Sequence, residues 1–573
     1  MTETGFKKST AGAAEAPERG GAGGLLIVLV FSLAAHLGVA SLGRVGVVDE
    51  IIYGELGRQL FAGHGYTIPY FEIFRWVHVP GFPFLMGLLA PYFHNPEGPA
   101  TALYVVFGTL LSLPIYGIAA RLYGRRAGWY AAALVAVIPQ LLSYVERWFY
   151  GSMTEPTFNF LIFSGLYFML VAEEDESPAA GLMAGLSLGL SYMIRVEGVI
   201  YCGLFGLWLL WRFARDRKVF RAKPFATLAL AAVAMGFSIV PYVLWLHGET
   251  GRWLLTGKSV AVFAYYEGGT ANADPQDFQK KLNTLNADKT AVGQKIDIRN
   301  AKVPGFADFI RADPMRMVKF AVSNYMAATL SVFTHKVFPP YLLPLVGLGL
   351  FGLGAWSAQR AKREFFLLLS FAPVALLIAN LWLERYFSPA VPTLALWAGA
   401  GFMGLDRWWS ENADQRRGWT RAALGAARYL PHLVVFTLLL GIAVMRPLDA
   451  RRTGKDPWEY KRVAAWMTAN IPDVAAKKVM SQTPQVPWYT GSEFVPCPFA
   501  PWKDVLTFAG HVGADYLVVD EYSIAQVPDD RRGLLDPAQA GPELALVRDW
   551  DLYGRKTVLY KFVNNRPPES PAP

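Results

Sequence analysis

The feature that most constrains this chain is a succession of apolar runs near the roughly 20-residue length at which an α-helix crosses a bilayer core. They fall at about residues 25–43, 98–120, 127–144, 152–171, 180–195, 197–211, 224–246, 337–357, 364–382, 388–405 and 429–446. About eleven transmembrane helices are therefore expected, and the chain reads as a polytopic α-helical membrane protein. Composition agrees, because 53% hydrophobic and 17% charged residues is too apolar for a soluble protein of this size.

The net charge of +9 would suit a nucleic-acid binder if it were gathered in one stripe. Instead the Lys and Arg residues sit in short loops between apolar runs, so no nucleic-acid partner is expected and membrane lipids are the surroundings. Residues 1–24 read as a disordered cytoplasmic N-terminus. Alternate loops then carry the basic clusters, Arg121/Arg125/Arg126, Arg212 to Lys223, Arg360/Lys362/Arg363 and Arg407 to Arg428. An odd number of spans places the C-terminus on the far side. The expected location is the cytoplasmic (inner) membrane, with the C-terminal domain periplasmic or extracellular. Cys202 falls in an apolar run and Cys497 in the tail, so no disulfide is expected between them.

The transmembrane domain is expected over residues 25–447, with outer loops at about 44–97 and 247–336, and a soluble α/β domain over 448–573. In the first loop, Pro80–Phe93 is apolar but too short to span and reads as an interfacial helix. The middle loop is rich in Gly, Asn and Asp near 268–274 and polar over 276–299. In the tail, Tyr460–Ala469 and Val505–Val512 have helical patterning, and Lys478–Ser481 and Tyr516–Val519 have strand patterning.

Ionisable groups at membrane depth are costly, so each is a functional hypothesis to be weighed against a structural ion pair. Asp49 and Glu50 stand together where the first helix leaves the membrane. A partly desolvated carboxylate there suits a general base acting on a hydroxyl, and equally an acidic pair that marks a helix end. Burial and the neighbouring acid would both raise the Asp49 pKa. Glu155 opens the next outward-facing helix end, with Glu146 and Arg147 facing it. Arg195 and Glu197 lie at a further outer turn, where an outward Arg invites a carboxylate partner or a lipid phosphate. Pairing of Arg195 with Glu197 or another acid is the favoured reading. Glu384-Arg385-Tyr386, followed by Pro389 and Pro392, sits at the outer junction of two spans. Arg can hold phosphate bidentately, and Tyr can donate to the same oxygens.

The order of these pieces resembles the C-type-fold integral-membrane glycosyltransferases, especially the protein O-mannosyltransferases and the lipid A aminoarabinose transferases. The resemblance rests on Asp49-Glu50 with Tyr53, Gly63-His64-Gly65-Tyr66, Pro80-Gly81-Phe82-Pro83, Thr154-Glu155-Pro156, Arg195-Val196-Glu197-Gly198, Arg385-Tyr386 and Asp515–Asp520. After Arg75 the chain departs from the family's Arg/Lys-Pro-Pro form. The resemblance implies an inverting transfer of a sugar from a polyprenyl-phosphate donor to an acceptor hydroxyl on the outer side. The acceptor would be a lipid-linked glycan, a lipopolysaccharide or a protein. Asp49 would be the base, Glu50 would shape the pocket, and Glu155 would position sugar or acceptor. Arg385, Tyr386 and Arg147 would hold the lipid phosphate, and Tyr53, His78, Arg75, Arg195 and Glu197 would line the pocket.

A secondary transporter or flippase of a lipid-linked or small polar substrate is the alternative from another class. Against it, no internal repeat or matched pair of broken helices is evident. No Cys/His set with zinc spacing and no phosphate-cradling Gly loop is present, and no cofactor is expected. The Asp49-Glu50 pair could bind a divalent ion, but the reading goes against a metal.

Overall fold

The computed structural model describes residues 21–69, 74–143, 154–218, 220–258, 284–292, 314–334, 336–353, 356–380, 384–414, 427–453, 457–524 and 529–563. Helix α1 (Gly21–Ser41) leads to α2 (Val48–Phe61), a helical turn at Phe74–Val77, and α3 (Gly81–Leu89). Then follow α4 (Gly98–Leu110), α5 (Ser112–Tyr123), α6 (Arg125–Val137), α7 (Thr154–Asp175), α8 (Pro178–Ile194), α9 (Gly198–Arg215) and α10 (Ala222–Thr250). The second half holds α11 (Pro314–Phe333), α12 (Leu343–Phe351), α13 (Ala358–Leu369), α14 (Ala372–Asn380), a 3-10 segment Glu384–Ala390, α15 (Val391–Asp414) and α16 (Leu430–Arg452).

Every expected apolar run overlaps described helix, but among the described residues five helical stretches are individually long and apolar enough to cross a membrane: 23–41, 98–123, 154–175, 222–250 and 430–452. The others are too short, too polar or interrupted, in places near proline, which removes a backbone donor and breaks the helical ladder. Thus α6 gives way to a new turn at Pro139, and the 3-10 segment runs through Pro389 before α15 begins. The middle loop needs a correction, because 314–333 is a 20-residue helix. Its exposed apolar residues include Val318, Val322, Met326 and Leu330, and Tyr325 donates to the Ala375 carbonyl of α14 at 2.8 Å. Arg316, Lys319 and Asn324 dilute the hydropathy that would have revealed it.

Helices in lipid associate through close van der Waals packing rather than apolar burial, which favours small residues at crossings. Gly181, Gly185 and Gly189 form such a stripe on α8 against α10, and a Cβ at Gly185 would meet the Ala231 carbonyl oxygen at 2.1 Å. At the α2–α3 crossing a Cβ at Gly57 would lie 2.3 Å from the Pro83 carbonyl oxygen, so α3 sits directly against the helix that carries Asp49.

The tail folds as an α/β unit. Helix α17 (Glu459–Asn470) precedes β1 (Lys478–Ser481), α18 (Gln485–Thr490), β2 (Glu493–Pro496), α19 (Trp502–Val512), β3 (Tyr516–Asp520), β4 (Leu544–Leu552) and β5 (Arg555–Phe562). The sheet order is β2-β1-β3-β5-β4, with β1 parallel to β2 and β3, and β5 antiparallel to β3 and β4. Central β3 is buried along its whole length, which explains its continuous apolar run. Cys202 lies in the membrane-bundle core and Cys497 in the tail core, and both thiols are free.

The tail is bonded to the bundle next to α2. The Gly46 amide donates to the Tyr489 hydroxyl at 2.7 Å, that hydroxyl donates to Glu97, and Lys461 lies 2.7 Å from Glu97. Trp488 packs over Gly46 and Gly54, so α18 braces both the approach to α2 and its first turns.

Candidate active site

Asp49 and Glu50 occupy the first turn of α2, where the helix dipole favours negative charge. Adjacent residues on a helix diverge by about 100°, and these two point to different partners. Asp49 accepts from Arg385 Nη1 at 2.8 Å. Glu50 is fully buried and takes both guanidinium nitrogens of Arg44, at 2.5 and 2.7 Å. Glu50 therefore belongs to the junction with the tail rather than to the pocket, and the pair is not arranged to share one cation.

Arg385 comes from the 3-10 segment, whose tight turn also presents Tyr386. The Tyr386 ring lies 5.8 Å from the guanidinium carbons of both Arg385 and Arg195. At the C-terminal end of α8, Arg195 reaches Glu155 at 2.6 Å, Thr154 at 3.1 Å and Glu197 at 3.4 Å. Its expected pairing with Glu197 or another acid is thus found with two acids at once. Behind them, Asn159 donates to Ser388 at 2.9 Å, tying α7 to the 3-10 segment.

Lys258, which the sequence reading did not single out, lies 3.5 Å from Glu197. Its segment lies close against the Phe74–Val77 turn, because Gly257 leaves no room for a Cβ beside the Trp76 carbonyl oxygen, 2.7 Å away. The available signal was the one that marked Arg195, a cation just beyond an outer helix end. Lys336 is a further cation here, 3.2 Å from Glu384.

Three acids and three cations therefore meet at one end of the bundle: Asp49, Glu155 and Glu197 with Arg195, Lys258 and Arg385. The cavity between Glu155, Arg195, Glu197, Arg385 and Tyr386 is only about 10 Å³, on the order of one water. Ion pairs fill the space.

The charge balance sets the titration. Burial pushes the Asp49 carboxyl up, but Arg385, His78 and Lys258 outweigh it, and the group sits below its ordinary 3.8. This corrects the expected upward shift, which counted burial and a neighbouring acid but not the facing guanidinium. Glu197 is drawn down to about 2, because Arg195 and Lys258 overcome its burial. His78, its ring 4.7 Å from Tyr53, is pushed down to about 4 chiefly by burial and is neutral near pH 7. Tyr53 is buried in the same corner.

Arg75 pairs with Glu249 at 3.3 Å and stacks over Trp76 at 4.3 Å. Arg147 and Glu146 lie outside the described residues. Among the described residues no group of three or more His, Cys, Asp or Glu side chains converges as a metal site would require.

Residues 77–245 match the family model "Dolichyl-phosphate-mannose-protein mannosyltransferase". In structure the chain is similar to ArnT from Cupriavidus metallidurans bound to undecaprenyl phosphate, with a TM-score of 0.55 and 15% identity, covering 96% of this chain and 99% of that one. It is also similar to the Archaeoglobus fulgidus oligosaccharyltransferase tethered to an acceptor peptide, with a TM-score of 0.54 and 14% identity, covering 87% of this chain and 69% of that one. The archaeal enzyme AglB from Archaeoglobus fulgidus, in complex with an inhibitory peptide and a dolichol-phosphate, gives a TM-score of 0.52 at 14% identity over the same shares, 87% and 69%. Compared by sequence with curated proteins, the chain finds no significant match. The fold is that of the C-type integral-membrane glycosyltransferases.

Proposed function

We propose that this chain, which has the C-type glycosyltransferase fold, moves a sugar from a polyprenyl-phosphate donor to an acceptor hydroxyl, with inversion at the anomeric carbon. The observation that carries the reading is the Asp49–Arg385 pair at 2.8 Å, with Arg195 and Lys258 close behind it. A phosphate oxygen entering this cluster would compete with Asp49 for the Arg385 guanidinium. Binding of donor would thereby release the carboxylate and, by adding negative charge, make it a better proton acceptor. Undecaprenyl phosphate in the ArnT structure and dolichol-phosphate in the AglB complex support a polyprenyl-phosphate donor.

The step is a single displacement. The acceptor O–H gives its proton to Asp49, and the oxygen lone pair forms the new bond to the anomeric carbon. The bond from that carbon to the phosphate oxygen breaks, and its electron pair leaves with the polyprenyl phosphate. Negative charge grows on that oxygen as the bond breaks, so cations already fixed around it favour the transition state over the ground state. Arg385, Arg195 and Lys258 fill this role, and Glu155 and Glu197 hold Arg195 so that it does not have to reorganise. Tyr386 donates a hydrogen bond to the same phosphate. The site end of the bundle faces the outer side of the cytoplasmic membrane, and the tail covers it from that side.

Donor competition tests the reading. Purified protein in detergent with native membranes as acceptor source is given either a radiolabelled polyprenyl-phosphate sugar or the matching nucleotide sugar. Label should transfer from the lipid donor alone. Turnover of the nucleotide sugar by itself would end the proposal.

A further inference from the structure

At the end of the bundle opposite the site, several of the cations are matched by acids. Arg121 pairs with Glu174 at 2.7 Å and Asp175 at 3.1 Å, Arg212 with Glu173 at 2.9 Å, and Lys218 with Glu176 at 2.6 Å. The short acidic turn after α7 thus answers Arg121, Arg212 and Lys218.

A cavity of about 260 Å³ opens at the same end between α5, α13 and α15, and its charge is not answered in this way. Its one acid, Glu364, is fully buried and already takes the Tyr123 hydroxyl at 2.8 Å and the Trp397 indole at 2.7 Å. Arg360 donates to the Leu350 carbonyl at 2.6 Å and lies 3.9 Å from Glu364, so these two charges offset each other. Arg363 and Arg407 remain as lining residues. Arg363 has a long contact of 3.4 Å to the Leu122 carbonyl, and Arg407 is exposed. Among the described residues neither has a carboxylate within ion-pair distance.

The surroundings add to this surplus. Helix α13 starts at the cavity, with Ser357 capping it by accepting from the Arg360 amide at 3.1 Å. No acid occupies its first turn, so its positive dipole end is left to the cavity. Leu122, Leu353 and Met403 give the same cavity apolar wall, which a lipid's glycerol and upper acyl chain would cover. At roughly 30 Å³ per water, the space has room for a phosphate with its glycerol.

We propose that this cavity binds the phosphate head group of an anionic phospholipid, with Arg363 and Arg407 as its cationic ligands and the start of α13 as a backbone donor. The site lies at the opposite end of the bundle from the Asp49–Arg385 pair and does not depend on the proposed transfer reaction. It would anchor α5, α13 and α15 to one another at the head-group level of that leaflet.

The test is lipid-dependent thermal stability of the full chain in mixed micelles, with native mass spectrometry to count bound lipid. Phosphatidylglycerol should give a saturable rise in melting temperature and one retained lipid, and phosphatidylcholine should give neither. Inorganic phosphate and glycerol phosphate are the soluble arms. Stabilisation by either at the concentration where phosphatidylglycerol acts would overturn the lipid assignment in favour of a free phosphate. The double variant R363Q/R407Q should weaken the phosphatidylglycerol response roughly twenty- to thirtyfold, two basic contacts each giving about fivefold. Should that variant not fold, R407Q alone should give the fivefold part. An equal response to both lipids, or an unchanged response in the variant that folds, would overturn the proposal.

Discussion

Arg385 Nη1 donates to Asp49 Oδ2 at 2.8 Å, so the guanidinium proposed to hold the leaving phosphate also holds the proposed base. Changing Arg385 shifts the titration of Asp49, and changing Asp49 removes a carboxylate that holds the guanidinium.

Arg385→Gln should act on donor affinity and on pH dependence together. In the free protein Asp49 lies below 3.8 because Arg385, His78 and Lys258 outweigh burial. The depressed carboxyl stabilises the fold fully above its unfolded value, and this stability is lost as pH falls through the lower folded value. With Arg385 neutralised, burial dominates and the Asp49 pKa rises. The acidic limb of kcat/KM should therefore move to higher pH, while donor binding weakens by about tenfold or more. An unmoved acidic limb, measured as a pH profile from 4 to 8, would show that the pair does not control the base.

Lys258→Met keeps the apolar stem and removes the charge. It should lower kcat/KM for the donor by about ten- to a hundredfold, the loss of one charged contact to the leaving phosphate. Glu197, now with Arg195 as its remaining cationic partner at ion-pair distance, should titrate above its present value of about 2. Steady-state kinetics with varied donor checks the first, and unchanged kinetics would remove Lys258 from the site.

Tyr489→Phe should loosen the tail from the bundle. Its hydroxyl bridges the Gly46 amide and Glu97, and both would lose a partner in a partly buried junction. Leaving such groups unsatisfied costs about 1–3 kcal/mol. The measurement is denaturant or thermal unfolding in detergent, and an unchanged midpoint would mean that Lys461 and Trp488 hold the junction without it.

Much of this architecture was legible locally. The strand at Lys478–Ser481 matches β1 to the residue, and the interfacial stretch Pro80–Phe93 contains α3. Apolar periodicity and length are local properties, so a sequence displays them. Asp49, Glu155, Arg195, Arg385 and Tyr386 stood out as ionisable or polar groups at helix ends, and they gather at one end of the bundle. What was missed is pairing. Asp49 and Arg385 are 336 positions apart, and the sign of the Asp49 shift depends on that partner rather than on its acidic neighbour. Glu50 was grouped with Asp49 by adjacency, although one residue of helical rotation sends it to Arg44 instead. Helix 314–333 was hidden because its charges lowered the hydropathy average, and Lys258 because no family motif pointed to it.

Asp49 is proposed as the base of an inverting transfer from a polyprenyl-phosphate sugar. Single-turnover transfer of labelled sugar from that donor tests this role, comparing wild type with Asp49→Asn and Glu155→Gln and measuring donor affinity separately. Loss of a positioned base costs on the order of a hundredfold or more. That fall in the turnover rate is expected for Asp49→Asn with donor affinity little changed, and a smaller fall for Glu155→Gln, which acts through Arg195. Normal turnover by Asp49→Asn beside an inactive Glu155→Gln would exclude Asp49 as the base and move that role to Glu155.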